Sequence, residues 1–173
     1  MTRHKATTTD LHAELGDYRE RFPKLSDDQI FVLWFLRAFV TDNEDEAASA
    51  LTGGAGDKNV DAVLLDEQAK MVFVVQGKYR RVAFLKNEAR NDVLEFAQLS
   101  SVLWGDAQQF TDFCQSVSPV VRDRLTMGRE RLRRKYRLRL QYVTLGRCSK
   151  EMTEDAARIA RRSDGPSDLL SLA

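Results

Sequence analysis

The chain is 173 residues long, 43% hydrophobic and 31% charged, with a formal net charge of +1. This composition suits one folded domain with a sizeable core and excludes a low-complexity or collagen-like chain. A net charge so near zero says nothing for or against nucleic acid, so any electropositive surface must be local.

Cys114 and Cys148 belong to no CxxC or Cys/His spacing and read as reduced thiols of a cytoplasmic protein. Both histidines, His4 and His12, lie near the N-terminus, which excludes a histidine zinc centre and argues against a Ser-His-Asp triad. The start, MTRHKATTTD, has no apolar h-region. The most apolar run, IFVLWFLRAFV, is interrupted by Arg37 and is far shorter than the ~20 residues of a membrane span. The expected location is the cytoplasm, with no membrane partner.

In chain order, Leu11, Leu15 and Tyr18 recur at helical spacing until Pro23. Ser26 followed by Asp27, Asp28 and Gln29 predicts a capped helix running to about Val40, apolar on most of its surface. An acidic knot, Asp42 to Glu46, leads into a short helix through Ala47, Ala48, Ala50 and Leu51, broken by Gly53, Gly54 and Gly56. This glycine run lacks the ending of a P-loop and is set aside. Strands are predicted at about Val60–Leu65 and Met71–Gln76, with Asp66 to Lys70 as the turn. Both are apolar on both faces, which predicts strands in the middle of a covered sheet.

Beyond Arg80–Arg81 the spacing predicts helices on Val93, Phe96 and Leu99, on Phe110, Phe113 and Val117, and from Pro119 through Leu125. Leu138, Leu140 and Tyr142 alternate with Arg137, Arg139 and Gln141 as a third strand; Met152 to Arg162 is helical, and Gly165–Pro166 turns the chain into a short tail. The order predicts a mixed α/β domain, a small sheet flanked by helices.

The chemistry concentrates in GDKNVDAVLLDEQAKMVFVVQGKY, Gly56 to Tyr79. Gln76 and Lys78 share a face by the two-residue period, and Asp61 falls opposite Val75 or Gln76. One reading is an ordinary Asp–Lys pair at solvated strand ends. The other is a phosphodiester hydrolase, in which Asp61 and the Gln76 oxygen hold Mg²⁺ and Lys78 orients a water or neutralises the phosphate. One carboxylate and one amide hold Mg²⁺ poorly, so a further acid is required, with Asp57 and the Glu44/Asp45/Glu46 knot as candidates.

These residues resemble the PD-(D/E)XK nuclease core in its Q-x-K form, and the longer run is similar to the opening region of abortive-infection AIPR family proteins. The resemblance covers about Leu25 to Leu145 and is strongest at Gly56–Tyr79. It implies a restriction-endonuclease-like fold, a Mg²⁺- or Mn²⁺-dependent endonuclease acting on DNA, and a setting in prokaryotic anti-phage defence. It also implies roles: Asp61 as the metal-binding aspartate, Gln76 at the usual Asp/Glu position, Lys78 as the catalytic lysine, Asp57 as a further acid, and Glu46 as the helix acid completing the metal site. The sequence departs from the family where Asn59-Val60 replaces a favoured Gly-Ile pair. AIPR proteins also continue further, so residues 1–173 are expected to form a single nuclease-like domain, either the N-terminal part of a longer protein or a unit acting alone, as a homodimer or with a partner protein. The alternatives are a catalytically retired domain of this fold that binds nucleic acid or protein, and an RNA-cleaving member.

VRDRLTMGRERLRRKYRLR is dense in arginine. Arg129, Arg131, Arg133 and Arg134 are candidates for phosphate contact. The competing reading is a solvated helix face followed by an edge strand protected by charge. Tyr136 and Tyr142 read as core.

Overall fold

The computed structural model describes residues 8–54, 57–161 and 167–172. The Gly165–Pro166 turn, part of the glycine run and the residues before position 8 lie outside them. Seven helices and four strands follow in the order α1 (Thr8–Arg21), α2 (Asp27–Phe39), α3 (Glu44–Ala50), β1 (Ala62–Asp66), β2 (Met71–Lys78), α4 (Arg90–Trp104), α5 (Ala107–Gln115), α6 (Pro119–Arg133), β3 (Arg137–Thr144), α7 (Lys150–Arg161) and β4 (Ser167–Leu172) among the described residues. No helix among them is long and apolar enough to cross a membrane.

Local chemistry sets the boundaries. Ser26 and Gln29 form a capping box: the Ser26 hydroxyl accepts from the Gln29 N–H, and the Gln29 side-chain oxygen accepts from the Ser26 N–H at 2.9 Å. Ser118 caps α6, with Pro119 at its first turn, where a missing N–H costs nothing. At the β1–β2 turn Asp66 accepts from the Ala69 N–H at 2.7 Å, and Lys70 takes φ +52°.

The sheet is mixed, in the order β1-β2-β3-β4. β1 and β2 are antiparallel, with Ala62 opposite Val75; β2–β3 and β3–β4 are parallel. Helices α4 to α6 make the first crossover and α7 the second. Alternation divides the core in two. Val63, Val72, Val74, Leu138, Leu140 and Tyr142 pack with residues of α4, α6 and α7. Ala62, Leu64, Phe73, Val75 and Val143 pack with residues of α1, α2 and α3. The result is a small mixed sheet between two helical layers.

Three expectations need correction. β1 is an edge of the described sheet rather than a middle strand. Apolar residues on both its faces signal helices above and below, which an edge strand can also have. β3 lies between β2 and β4, so its arginines do not guard an edge. The expected tail is the strand β4, whose Leu169 and Leu170 pair with Leu140 and Gln141.

The parallel strands β2 and β3 both end at Lys78 and Thr144, which face each other in register. Helices α4 and α7 begin beyond this end of the sheet. On the other face Gly77 lets α2 lie directly on β2, because a Cβ there would collide with the Val32 side chain. That contact sets the α2 N-terminus beside the same strand end.

Candidate functional site

The site is built from a turn, an edge strand and a strand end. Lys58 and Asn59 occupy the left-handed region, with φ +45° and +68°. Asparagine tolerates this conformation better than most residues, so Asn59 serves where the resembled family favours glycine. The Asn59 N–H donates to Asp57 Oδ1 at 3.2 Å, and the Val60 N–H donates to the Asp57 carbonyl. This turn delivers Asp61, whose N–H donates to the Val75 carbonyl at 2.8 Å. Its Oδ2 accepts from the Gly77 N–H at 2.7 Å, which sets the carboxylate beside the backbone between Gln76 and Lys78.

Gln76 is 1% exposed. Its amide nitrogen donates to Asn59 Oδ1 at 2.9 Å, while its Oε1 is buried and finds no partner among the described residues. A buried acceptor left in that state costs about 1–3 kcal/mol. On the neighbouring strand Tyr142, in register with Gln76, also has a buried hydroxyl without a partner among the described residues. Burial pushes its phenol up, reinforced by the nearby charges of Glu88 and Asp92.

The Asp61 carboxyl is raised to about 6. Burial is the main cause; the Gly77 hydrogen bond opposes it, Asp57 and Asp28 raise it further, and Lys78 lowers it. Asp57, Asp28 and Lys78 are therefore the charges that act on Asp61. Asp28, in the first turn of α2, accepts from the Tyr79 N–H at 2.7 Å.

Glu46 is not brought to this cluster. It shares a crevice with Asp42, Leu64, Asp66 and Glu67, at the turn end of the hairpin, and it accepts from the Thr41 hydroxyl at 2.5 Å. Glu44 pairs with Arg21 at 2.6 Å. The helix acid beside Asp61 is Asp28, which reads from sequence only as a first-turn carboxylate.

The four arginines divide. Arg129 is 6% exposed, donates to the Gly105 carbonyl at 2.6 Å and lies over the Phe110 ring. Burial and the charge of Arg133 push its guanidinium down. Arg131 pairs with Glu67 at 2.8 Å, and Tyr136 donates to the same carboxylate. Arg133 and Arg134 are exposed. They close α6 near the start of β3, the opposite end of the sheet from Lys78, and an eight-residue strand spans roughly 26 Å. Arg129→Ala is expected to lower the free energy of unfolding by about 2–3 kcal/mol, losing a buried charged hydrogen bond and its aromatic contact. The Arg133→Ala/Arg134→Ala pair is expected to stay within about 0.5 kcal/mol. Urea unfolding checks both. Only the exposed pair can then report phosphate contact, as a slope of log affinity against log salt flattened by about 0.9 per contact on duplex DNA.

Glu88 escapes sequence reasoning. It is buried, holds Arg80 in a two-pronged ion pair and accepts from the Thr144 hydroxyl at 2.6 Å. Burial alone would raise its carboxyl, but the Arg80 and Thr144 bonds outweigh it and hold it below the usual range. The only signal was an arginine and a glutamate bracketing the apolar run VAFL.

Among the described residues no three His, Cys, Asp or Glu side chains converge to hold a metal by themselves. Mg²⁺ does not require such a set: it binds one or two carboxylates and keeps waters or substrate phosphates as its remaining ligands. The Gln76 oxygen, orphaned among the described residues, and the Asp61 carboxylate, held on the N–H of Gly77, the residue after Gln76, are hard-oxygen donors of that kind. No protein-family model matches this chain, and no curated protein or solved structure matches it.

Proposed function

We propose that this domain is a metal-dependent nuclease of restriction-endonuclease-like fold, the PD-(D/E)XK type in its Q-x-K form, with DNA ahead of RNA as substrate. The observation that carries the reading is the buried Gln76 oxygen, unpartnered among the described residues, one residue before the Gly77 N–H that holds a carboxylate raised to about 6, with Lys78 following on the same strand. The antiparallel hairpin continued by a parallel crossover supports it, since the site then stands at the carboxyl ends of the parallel strands, where open α/β sheets bind ligands. The setting in anti-phage defence rests on the resemblance to the AIPR family alone.

Asp61 and the Gln76 oxygen would hold Mg²⁺ or Mn²⁺, with Asp57 and Asp28 supplying further negative charge. The metal would polarise the phosphate and favour attack by water. Lys78 would bring its ammonium to the negative charge that accumulates on the phosphate oxygens, and α2 closes on the opposite face of β2 at Gly77. Asp57, fixed by the Asn59 N–H, shapes the loop that carries Asp61.

A second reading is a catalytically retired domain, favoured by the lack of a third converging acid among the described residues. The discriminating experiment incubates the protein with supercoiled plasmid, single-stranded DNA and RNA in Mg²⁺, Mn²⁺ or Ca²⁺. Cleavage in Mg²⁺ or Mn²⁺ supports the nuclease. A folded protein inactive on every substrate in both metals supports the retired domain.

A further inference from the structure

Beyond Lys78 the chain crosses the end of the sheet as an irregular loop, YRRVAFLKNE, before α4 begins. Its tip is apolar and open to solvent: Val82 is 56% exposed, Phe84 44% and Leu85 75%. Arg81 and Lys86 flank it, and Arg147 stands beside it from the turn after β3. All three are exposed, and none makes a side-chain ion pair among the described residues.

The loop is fixed at its base. The Phe84 N–H donates to the Leu145 carbonyl at 2.7 Å, the Arg147 N–H to Lys86 at 2.8 Å and the Glu88 N–H to Arg147 at 2.9 Å. The buried Glu88 carboxylate grips Arg80 on the near side and Thr144 beneath. Gly146 passes so close to Glu88 that a Cβ would overlap its carboxylate. Phe84 itself is held at φ +59°, a conformation unfavourable for an aromatic residue and concentrated in proteins at ligand clamps. Beside the tip lies a cleft of about 480 Å³, lined by Phe84, Met152 and Cys148 with Arg90 and Arg147 at hand.

We propose that this loop is the platform on which an unpaired stretch of nucleic acid lies as it enters the Lys78 end of the sheet. Solvent normally selects against three neighbouring exposed apolar side chains on a well-fixed loop. Here they are flanked by Arg81 and Lys86, with Arg147 beside them, and none of these cations forms a side-chain ion pair among the described residues. A single strand offers the complementary chemistry: an anionic backbone for Arg81, Lys86 and Arg147, and base faces to stack on Phe84 and rest against Leu85. A closed duplex hides those base faces, so the apolar tip gains contact only where strands are open. The assignment rests on the reading of Asp61–Lys78 as a phosphodiester site, which the loop directly follows.

The test measures fluorescence anisotropy of an oligothymidylate of about 20 nucleotides, and of a duplex of equal length, against the full chain in EDTA at several salt concentrations. The wild type is expected to bind the single strand at least about tenfold tighter than the duplex. Phe84→Ala and Leu85→Ser are each expected to weaken single-strand binding about tenfold with unchanged thermal melts. The Arg81→Ala/Lys86→Ala/Arg147→Ala variant should flatten the slope of log affinity against log salt by about 2. Should Phe84→Ala fail to fold, the Leu85 and cation variants carry the test. The proposal is overturned by variants that bind like wild type, by a wild type that prefers duplex or binds neither, or by a Leu85→Ser effect confined to self-association in sedimentation or to anionic vesicles. Binding lost in Phe84→Ala by a protein that cleaves nothing would retain the platform and remove the nuclease. Cleavage lost in Asp61→Asn, with binding indifferent to Phe84, would do the reverse.

Discussion

Asp61→Ala and Lys78→Ala are each expected to lower the proposed Mg²⁺-dependent cleavage of plasmid DNA by about a thousandfold or more, with both variants folded. On the proposed reading, losing a metal-holding carboxylate or the cation at the reacting phosphate would remove stabilisation present mainly in the transition state, so the fall should be in kcat rather than KM. The fold is insulated from both changes. Lys78 is half-buried at the last position of β2, with no side-chain hydrogen bond or ion pair among the described residues. Asp61→Ala frees one backbone N–H, that of Gly77, but also removes a desolvated carboxylate. The helix acids provide the internal control. Glu46→Ala is expected to leave cleavage unchanged, because Glu46 stands at the turn end of the hairpin. Asp28→Asn retains an oxygen for the Tyr79 N–H and loses only charge, so a rate lowered about tenfold or more assigns that charge to the site. Wild-type rates in a folded Asp61→Ala or Lys78→Ala protein would eliminate the site. Loss of activity in Glu46→Ala with Asp28→Asn unaffected would reverse the choice of helix acid.

The elements were legible where one local signal dominated. The Ser26 cap, the Pro119 start and the alternation of Leu138, Leu140 and Tyr142 each specify their structure within a few residues. The cross-strand placement of Asp61 against the end of β2 was legible for the same reason: a short hairpin with a two-residue period leaves few registers. The rest depends on distant chain. Glu46 was the helix acid the resemblance implied and Asp28 read only as a first-turn carboxylate; the seating of α2 on Gly77 is what brings Asp28 to this strand end. Arg129 and Arg133 look alike in a string of arginines, yet the turn of α6 buries one under Phe110 and leaves the other in water. Whether β1 is central or at an edge is set by what pairs beyond it, and a both-sided apolar strand is compatible with either. Glu88 carries little pattern beyond its bracketing of VAFL with an arginine: its burial follows from Arg80 and Thr144 meeting it across a loop and a neighbouring strand.

Asp61→Asn is expected to make the metal-free protein more stable near neutral pH, by up to about 3 kcal/mol, and to abolish that gain at pH 4. The native carboxyl is raised from 3.8 to about 6 chiefly by burial, with Asp57 and Asp28 adding to it. Each tenfold change in proton affinity between the folded and unfolded chain corresponds to about 1.4 kcal/mol. The sign follows from proton binding. Between about pH 4 and 6 the folded chain holds a proton on Asp61 that the unfolded chain has released, so stability falls as pH rises through that window. Above it the whole penalty is present, and below it both states are protonated and none remains. Asparagine keeps an oxygen for the Gly77 N–H and carries no charge, so it escapes the penalty at every pH. A divalent cation should offset the same penalty in the wild type alone, binding more weakly as pH falls below about 6 because protons compete for the carboxylate. Urea unfolding of both proteins at several pH values between 4 and 8, in EDTA and in Mg²⁺, measures all of this. A difference between the proteins that does not change with pH would show that Asp61 is ordinarily solvated. Mg²⁺ stabilisation equal in the two proteins would place any bound cation elsewhere. Stability gained by neutralising a partly buried acid, and activity lost with it, is the exchange expected where a carboxylate is kept for chemistry rather than for folding.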